Sequence, residues 1–195
     1  MINKIINTNN LLKTIIFILL FTFVYTTKYY ILYTNTVELK YTIYFILPKS
    51  IYQVLSFLSV AMFLYIGFYL TDRGKVPYGK LFSITLTSGF VFILYFFVVI
   101  FWFKIIETEF TESDIENFYP LSFYQLVGAN NEAIKSILVD LNLFEMVFLI
   151  LIVYLLKPFF NNSFTYSLEF VLIFHSIPFL VLRVFSAFFK IIFLQ

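Results

Sequence analysis

Long apolar runs separated by short polar clusters dominate the pattern along this chain. A transmembrane helix needs about 20 mostly apolar residues, and five runs reach or approach that length. They cover residues 11–33, 51–71, 81–106, 141–156 and 168–190, of which the fourth is the shortest. Since these runs leave no room for a separate soluble domain, we expect residues 1–195 to form a single all-α domain, a polytopic membrane helix bundle.

The first two predicted spans each leave a choice. Lys4 and Lys13 precede the apolar stretch 14–24, as in a secretory signal peptide, but no small-residue cleavage site follows, which favours a retained helix. Residues 41–47 are apolar again and end at Pro48. They form either an interfacial or re-entrant segment, or the start of a long second helix that is kinked near Pro48.

The acidic segment 107–140, between the third and fourth spans, is the one sizeable extramembrane region that the sequence predicts. Pro120 suits the start of a helix and Gly128 its end. Between Ile134 and Leu141, apolar residues recur at the spacings of an amphipathic helix that lies in the membrane interface. These interfacial helices either seal the rim of the bundle or offer a surface for partner docking or gating.

Composition supports a membrane protein and excludes several other classes. Charged residues make up 12% of the chain, against roughly 25% in soluble domains, and mean hydropathy is +0.94. The chain has no Cys and one His, which excludes thiolate-bound cofactors and multi-histidine metal centres. A net charge of +2 without a basic stripe argues against nucleic acid as a partner. Because nucleotide-binding and hydrolase motifs are missing as well, we expect no cofactor and no enzymatic activity.

The orientation in the membrane follows from the positions of Lys and Arg. The two sides carry equal numbers of these cations, but Arg73, Lys75 and Lys80 lie in one tight turn, residues 72–80, that resists translocation. This turn predicts a cytoplasmic N-terminus and, with five spans, a C-terminus outside. The predicted location is the bacterial inner (cytoplasmic) membrane, as a multi-pass protein in contact with the lipid bilayer.

Two ionisable residues lie well inside predicted spans, where a charge costs about 2.5 to 3.5 kcal/mol on insertion scales. Glu145 lies about one turn into the fourth span, and Arg183 about two turns before the end of the fifth. Consecutive spans run antiparallel, so both residues fall in the same leaflet and are a candidate intramembrane ion pair. Such a pair either orients one helix against the other or belongs to a substrate or proton path.

His175 is the third candidate, a polar intramembrane site near the middle of the fifth span. It precedes Pro178 by three residues, and proline frees a backbone carbonyl one turn earlier, at about Phe174. The imidazole N–H of His175 either hydrogen-bonds a carbonyl of that kind in a kinked helix or takes part in a proton relay.

Between Lys75 and Lys157 the chain resembles small five-span bacterial membrane proteins related to the Ypt-interacting-protein (YIP) family. The similarity rests on Gly79-Lys80-Leu81-Phe82 at the start of a span, Trp102 at its end, Phe118-Tyr119-Pro120-Leu121-Ser122, and Leu141-Asn142-Leu143-Phe144-Glu145 ahead of the next span. The resemblance implies a non-enzymatic five-helix protein and implies no catalytic residues.

Two functions are compatible with these features. The first is a non-catalytic accessory or scaffold component of a membrane assembly, which packs against itself or against other membrane subunits. The second is a transporter or ion-conducting subunit that uses Glu145, Arg183 and His175. Solvent access distinguishes them: a hydrated cavity that reaches Glu145 or His175 favours transport, whereas a dry, paired Glu145 and Arg183 favours the scaffold.

Overall fold

The structure, a computed structural model, describes most of the chain in five stretches. These are residues 9–32, 39–72, 76–107, 109–128 and 131–193. Within them every regular element is a helix, apart from a single β-bridge between Ser122 and Asn142. The predicted all-α class is therefore confirmed. Lys4, Arg73 and Lys75 lie outside the described residues.

Ten α-helices and three short turns of other helix types make up the fold of the described residues. The α-helices are α1 Asn10–Leu32, α2 Leu39–Leu70, α3 Tyr78–Gly89, α4 Val91–Phe101, α5 Glu112–Asn117, α6 Phe123–Val127, α7 Glu132–Asp140, α8 Leu143–Leu156, α9 Phe164–Val171 and α10 Ile177–Phe193. The other turns are a π-helix at Trp102–Ile106 after α4, a 3₁₀ turn at Lys157–Phe159 after α8, and a π-helix at Leu172–Ser176 between α9 and α10.

Four helical rods in the described part are long and apolar enough to cross a membrane. They are Asn10–Lys28, Pro48–Leu70, Tyr78–Ile106 and Phe164–Phe185. These rods correspond to the first, second, third and fifth predicted spans. The fourth predicted span, 141–156, is represented by α8, whose 14 residues extend about 21 Å at 1.5 Å per residue. By itself α8 is shorter than the roughly 30 Å hydrocarbon core of a bilayer.

The second helix begins before Pro48 and continues through it. α2 runs continuously for 32 residues and contains Pro48. Residues 41–47 therefore belong to a long second helix rather than to a separate interfacial or re-entrant segment. Of the two alternatives that the sequence leaves open, the structure has the long helix.

Helix α8 lies along the rod formed by α3 and α4, in the opposite direction. Near the start of α8, the ring centre of Phe144 is 5.6 Å from that of Tyr95. Just beyond its end, Nζ of Lys80 is 5.2 Å from the ring centre of Phe159. The beginning of α8 thus lies beside α4, the later part of the rod, and the segment just after α8 lies beside the start of α3. The helix α8 and this rod are therefore antiparallel neighbours.

An aromatic cluster occupies the centre of the bundle. The ring of Phe57 on α2 is 1% exposed, and its centre lies 5.3 Å from that of Phe17, 6.1 Å from that of Phe92 and 5.8 Å from that of Phe148. A Cβ added to Gly89 at the end of α3 would overlap the Phe57 ring. Glycine is therefore required there for the close approach of α2 and α3.

The segment that follows α4 folds back so that the start of α6 pairs with the junction of α7 and α8. Around the β-bridge, the Phe123 N–H donates to the Leu141 carbonyl at 2.9 Å, and the Leu143 N–H donates to the Leu121 carbonyl at 3.0 Å. These bonds hold the beginning of α6 against the junction of α7 and α8. The end of α7 and the beginning of α8 are thereby fixed at one end of the bundle, opposite Lys80.

Candidate functional site

A cavity of about 200 Å³ lies at this end of the bundle, and we call it the polar cavity. Helices α2, α4, α8 and α10, the junction between α7 and α8, and the second π-helical turn all contribute to its wall. Its polar side chains are Gln53, Ser56, Asp140, Asn142, Glu145, His175 and Arg183, and its aromatic side chains are Tyr52, Phe57, Phe92, Phe148 and Phe179. The cavity thus contains all three residues that the sequence singles out.

A salt bridge joins two elements on one side of the polar cavity. Nη1 of Arg183 on α10 lies 3.1 Å from Oδ2 of Asp140 at the end of α7, and the two side chains are 43% and 26% exposed. The Arg183 guanidinium also lies 5.0 Å from the ring centre of Phe179, one turn earlier on α10. Both side chains are partly exposed, so the pair lies nearer the outside of the bundle than the buried His175 does.

Glu145 occupies the first turn of α8. The Oδ1 atom of Asn142, the N-cap residue, accepts a hydrogen bond from the Glu145 backbone N–H at 3.0 Å. This cap satisfies a donor that the helix itself leaves free, and the helix dipole favours a carboxylate at this position. Glu145 lines the same cavity as Arg183, its predicted partner, but within the described residues the salt bridge of Arg183 is with Asp140.

His175 forms the deep part of the polar cavity. It lies in the π-helical turn, in which the Ile177 N–H donates to the Leu172 carbonyl, five residues earlier. The imidazole is 2% exposed, and its ring centre lies 5.8 Å from that of Phe179 and 6.0 Å from that of Phe148. Among the residues that the structure describes, none hydrogen-bonds the buried Nδ1 atom of His175. Such an atom is costly to bury without a partner.

The cavity extends along α10 and the preceding turn. His175 and Arg183 are eight residues apart, which corresponds to about 12 Å at the rise of an α-helix. The lining therefore changes from a partly exposed ion pair to a buried imidazole over roughly two turns. The three candidates are brought together as one site, whose side chains range from partly exposed to buried.

Four polar members of the cavity were missed by the sequence interpretation: Gln53, Ser56, Asp140 and Asn142. Gln53 and Ser56 are three residues apart in an otherwise apolar stretch of α2, so they share a face, and this spacing could have identified them. Asp140 and Asn142 precede the fourth predicted span and carry no comparable signal. Their place in the site depends on the fold-back around the β-bridge.

The described part of the chain contains no group of three acidic or His residues that could hold a metal ion. Comparisons with protein-family models, with curated proteins and with solved structures give no match to this chain. The resemblance to the YIP family therefore stays a prediction from short sequence motifs.

Proposed function

We propose that the protein is a transporter or ion-conducting membrane subunit that binds a small polar solute or ion in the polar cavity. The observation that carries this proposal is the convergence of Glu145, Arg183 and His175 on one cavity. An ion pair that only orients two helices needs two charges. Here a further carboxylate and a buried imidazole face the same space, and ionisable groups inside membrane helices typically mark ion and substrate pathways.

We further propose that the chain crosses the membrane five times, with α8 as the fourth span. The 3₁₀ turn Lys157–Phe159 adds about 6 Å to α8, at roughly 2 Å per residue, so the continuous rod measures about 27 Å. That length is close to the hydrocarbon thickness of the thinner biological bilayers. The antiparallel contacts of α8 near Tyr95 and Lys80 support the same assignment. The helices α5, α6 and α7 are then interfacial.

The orientation that we propose has the N-terminus in the cytoplasm of a bacterial cell, with the protein in the inner membrane. Asp140 and Arg183 lie at the end of the bundle opposite Lys80, so with a cytoplasmic Lys80 the polar cavity faces the non-cytoplasmic side. A reporter protein that is active only in the cytoplasm, fused to the N-terminus, is expected to be active. Activity only of an exported reporter at that position would reverse the orientation.

Accessibility of the polar cavity to water tests the proposed function. The natural sequence contains no Cys, so a single introduced Cys is the only thiol in the protein. Ser56 lines the cavity, whereas the neighbouring Leu55 lies at nearly the same depth and is 53% exposed on the outside of the bundle. We expect a membrane-impermeant thiol reagent to label Ser56→Cys in a lipid bilayer and to leave Leu55→Cys unlabelled. If neither residue reacts, the cavity is closed to water and the proposal is wrong.

A second candidate function is the accessory or scaffold role, without enzymatic activity, that the YIP resemblance implies. The observation that favours it is an exposed apolar surface on α6, outside the long helical rods, where Leu126 is 81% exposed and Val127 is also exposed. A subunit of fixed stoichiometry that stays bound in mild detergent, and is lost when both residues are changed to Lys, would support this role. Retention of the subunit by that variant would remove α6 as its docking surface.

A further inference from the structure

A second cavity adjoins the polar cavity at the same end of the bundle. Its volume is about 290 Å³, and helices α1, α2 and α4 and the junction of α7 and α8 contribute to its wall. Four residues line both cavities: Gln53, Phe92, Asp140 and Asn142. Because the same side chains border both spaces, a solute in the second cavity would lie directly beside the polar cavity.

A short loop between α5 and α6, residues 119–122, covers one side of the second cavity, and we call it the covering loop. Tyr119, Pro120 and Ser122 line the cavity, and the last two are buried. Leu121, between them, is 53% exposed. The covering loop thus has one side towards the cavity and one side towards the outside of the bundle.

The exposed flank of the polar cavity itself faces lipid rather than water. On α10, Arg183 lies between Leu182 and Val184, which are both exposed. Exposed apolar side chains on a membrane-spanning helix are typical of a lipid-facing surface. A water-soluble solute would therefore approach the polar cavity from the side of the covering loop.

The attachment of the covering loop to the bundle is limited on one side and firm on the other. The β-bridge between Ser122 and Asn142 joins the loop to the junction of α7 and α8 through the two backbone hydrogen bonds of 2.9 and 3.0 Å. Helix α6, which follows the loop, contributes no buried residue. Just before the loop, by contrast, Phe118 packs against the buried Phe103, with ring centres 5.0 Å apart. The loop can therefore move about Phe118 when the bridge breaks.

Two features destabilise the position of the covering loop against the bundle. Leu121 has φ of 60°, a left-handed conformation that leucine rarely adopts, and such residues cluster at ligand clamps and switch regions. The hydroxyl of Ser122 is buried, and among the described residues it has no hydrogen-bond partner, which is unfavourable. Movement of the loop away from the bundle would relieve both, since Leu121 could change its conformation and water could bind the Ser122 hydroxyl.

We propose that the covering loop is a lid that opens to admit solute from the non-cytoplasmic side, through the second cavity, into the polar cavity. This inference rests on the proposed transport function and concerns how access to the same site is controlled. Opening breaks the β-bridge between Ser122 and Asn142, while Phe118 stays packed against Phe103.

Labelling of single cysteines tests whether the covering loop opens. Ser122 and Ser88 are a matched pair: they are 1% and 0% exposed, and within the described part of the chain neither buried hydroxyl has a hydrogen-bond partner. Ser88 lies in α3, inside the third helical rod. We expect a membrane-impermeant thiol reagent on the non-cytoplasmic side of proteoliposomes to label Ser122→Cys at least about tenfold faster than Ser88→Cys, because a loop opens more readily than a packed helix. Equal rates would overturn the proposal.

A disulfide across the β-bridge tests whether the loop controls access to the polar cavity. The two hydrogen bonds flank the pair Ser122 and Asn142, and the Cα atoms of such a pair are about 4.5 Å apart, within the range of a disulfide. The protein carries Ser122→Cys and Asn142→Cys together with Ser56→Cys, and peptide mapping identifies the disulfide and the labelled position. We expect labelling at position 56 to be at least about tenfold slower with the disulfide between positions 122 and 142 than after its reduction. Ser56→Cys alone, the control, should react at the same rate with and without reductant.

The outcomes separate this proposal from the proposed function. Equal labelling at position 56 with the disulfide formed and with it reduced would overturn the lid and leave the proposed function intact. An absence of labelling of Ser56→Cys when the loop is free would overturn both. If the disulfide does not form, the comparison of Ser122→Cys with Ser88→Cys still decides whether the loop opens.

Discussion

The salt bridge between Asp140 and Arg183 permits a quantitative test of how the end of α7 is fixed to α10. At 3.1 Å and an effective dielectric constant of about 20, the Coulomb attraction of two unit charges is about 5 kcal/mol. Desolvation opposes much of this, and the side chains are 26% and 43% exposed, which places the pair between a surface and a buried ion pair. We expect a net coupling energy of about 1 to 2 kcal/mol.

A double-mutant cycle with Asp140→Asn and Arg183→Gln measures this coupling. The free energy of unfolding of the four proteins is obtained by denaturant titration in mixed micelles. The control is a second cycle with Glu145→Gln and Arg183→Gln, for which we expect less than half of the coupling, since the salt bridge is formed by Asp140. A coupling energy of zero between Asp140 and Arg183, or a larger coupling energy between Glu145 and Arg183, would refute the assignment of the ion pair.

Three further predictions concern packing, capping and pH. Gly89→Ala should destabilise the protein by about 1 to 3 kcal/mol, because the added Cβ would overlap the buried ring of Phe57. Gly79→Ala should cost much less, because an added Cβ there would lie 3.4 Å from the nearest atom, Nδ2 of Asn10. Thermal unfolding compares the two variants. Asn142→Ala should lower the free energy of unfolding by about 1 kcal/mol through loss of the cap of α8, and an unchanged value would contradict the capping role. Hydrogen bonds from the Thr111 N–H and hydroxyl, both 2.7 Å long, lower the pKa of the Asp114 carboxyl. The capping of α5 should therefore be complete above the usual Asp pKa and be lost as the pH falls through the lowered value, which NMR titration of wild type and Thr111→Ala can follow.

The long elements of the fold were predictable because each is defined by local composition. The apolar runs that end near Leu32, Leu70 and Ile106 coincide with helices of the structure. Pro48 was harder to interpret, since proline usually interrupts a helix, yet α2 continues through it.

The site was predictable in part, since the sequence identified its intramembrane ionisable residues but not all of their contacts. Glu145 was chosen as the partner of Arg183 because both lie inside apolar runs. Asp140 lies just outside such a run, and it reaches Arg183 through the fold-back that pairs Ser122 with Asn142. Contacts of this kind join residues from distant parts of the chain, so spacing along the sequence carries no signal for them.

The proposed function requires that water and solute reach Glu145 and His175 through the polar cavity that these residues line. The most direct measurement compares the labelling rates of Ser56→Cys and Leu55→Cys by a membrane-impermeant thiol reagent, added separately to each side of proteoliposomes with oriented protein. We predict that Ser56→Cys is labelled from the non-cytoplasmic side and that Leu55→Cys stays unlabelled from either side. Equal rates for the two positions from both sides would contradict the account.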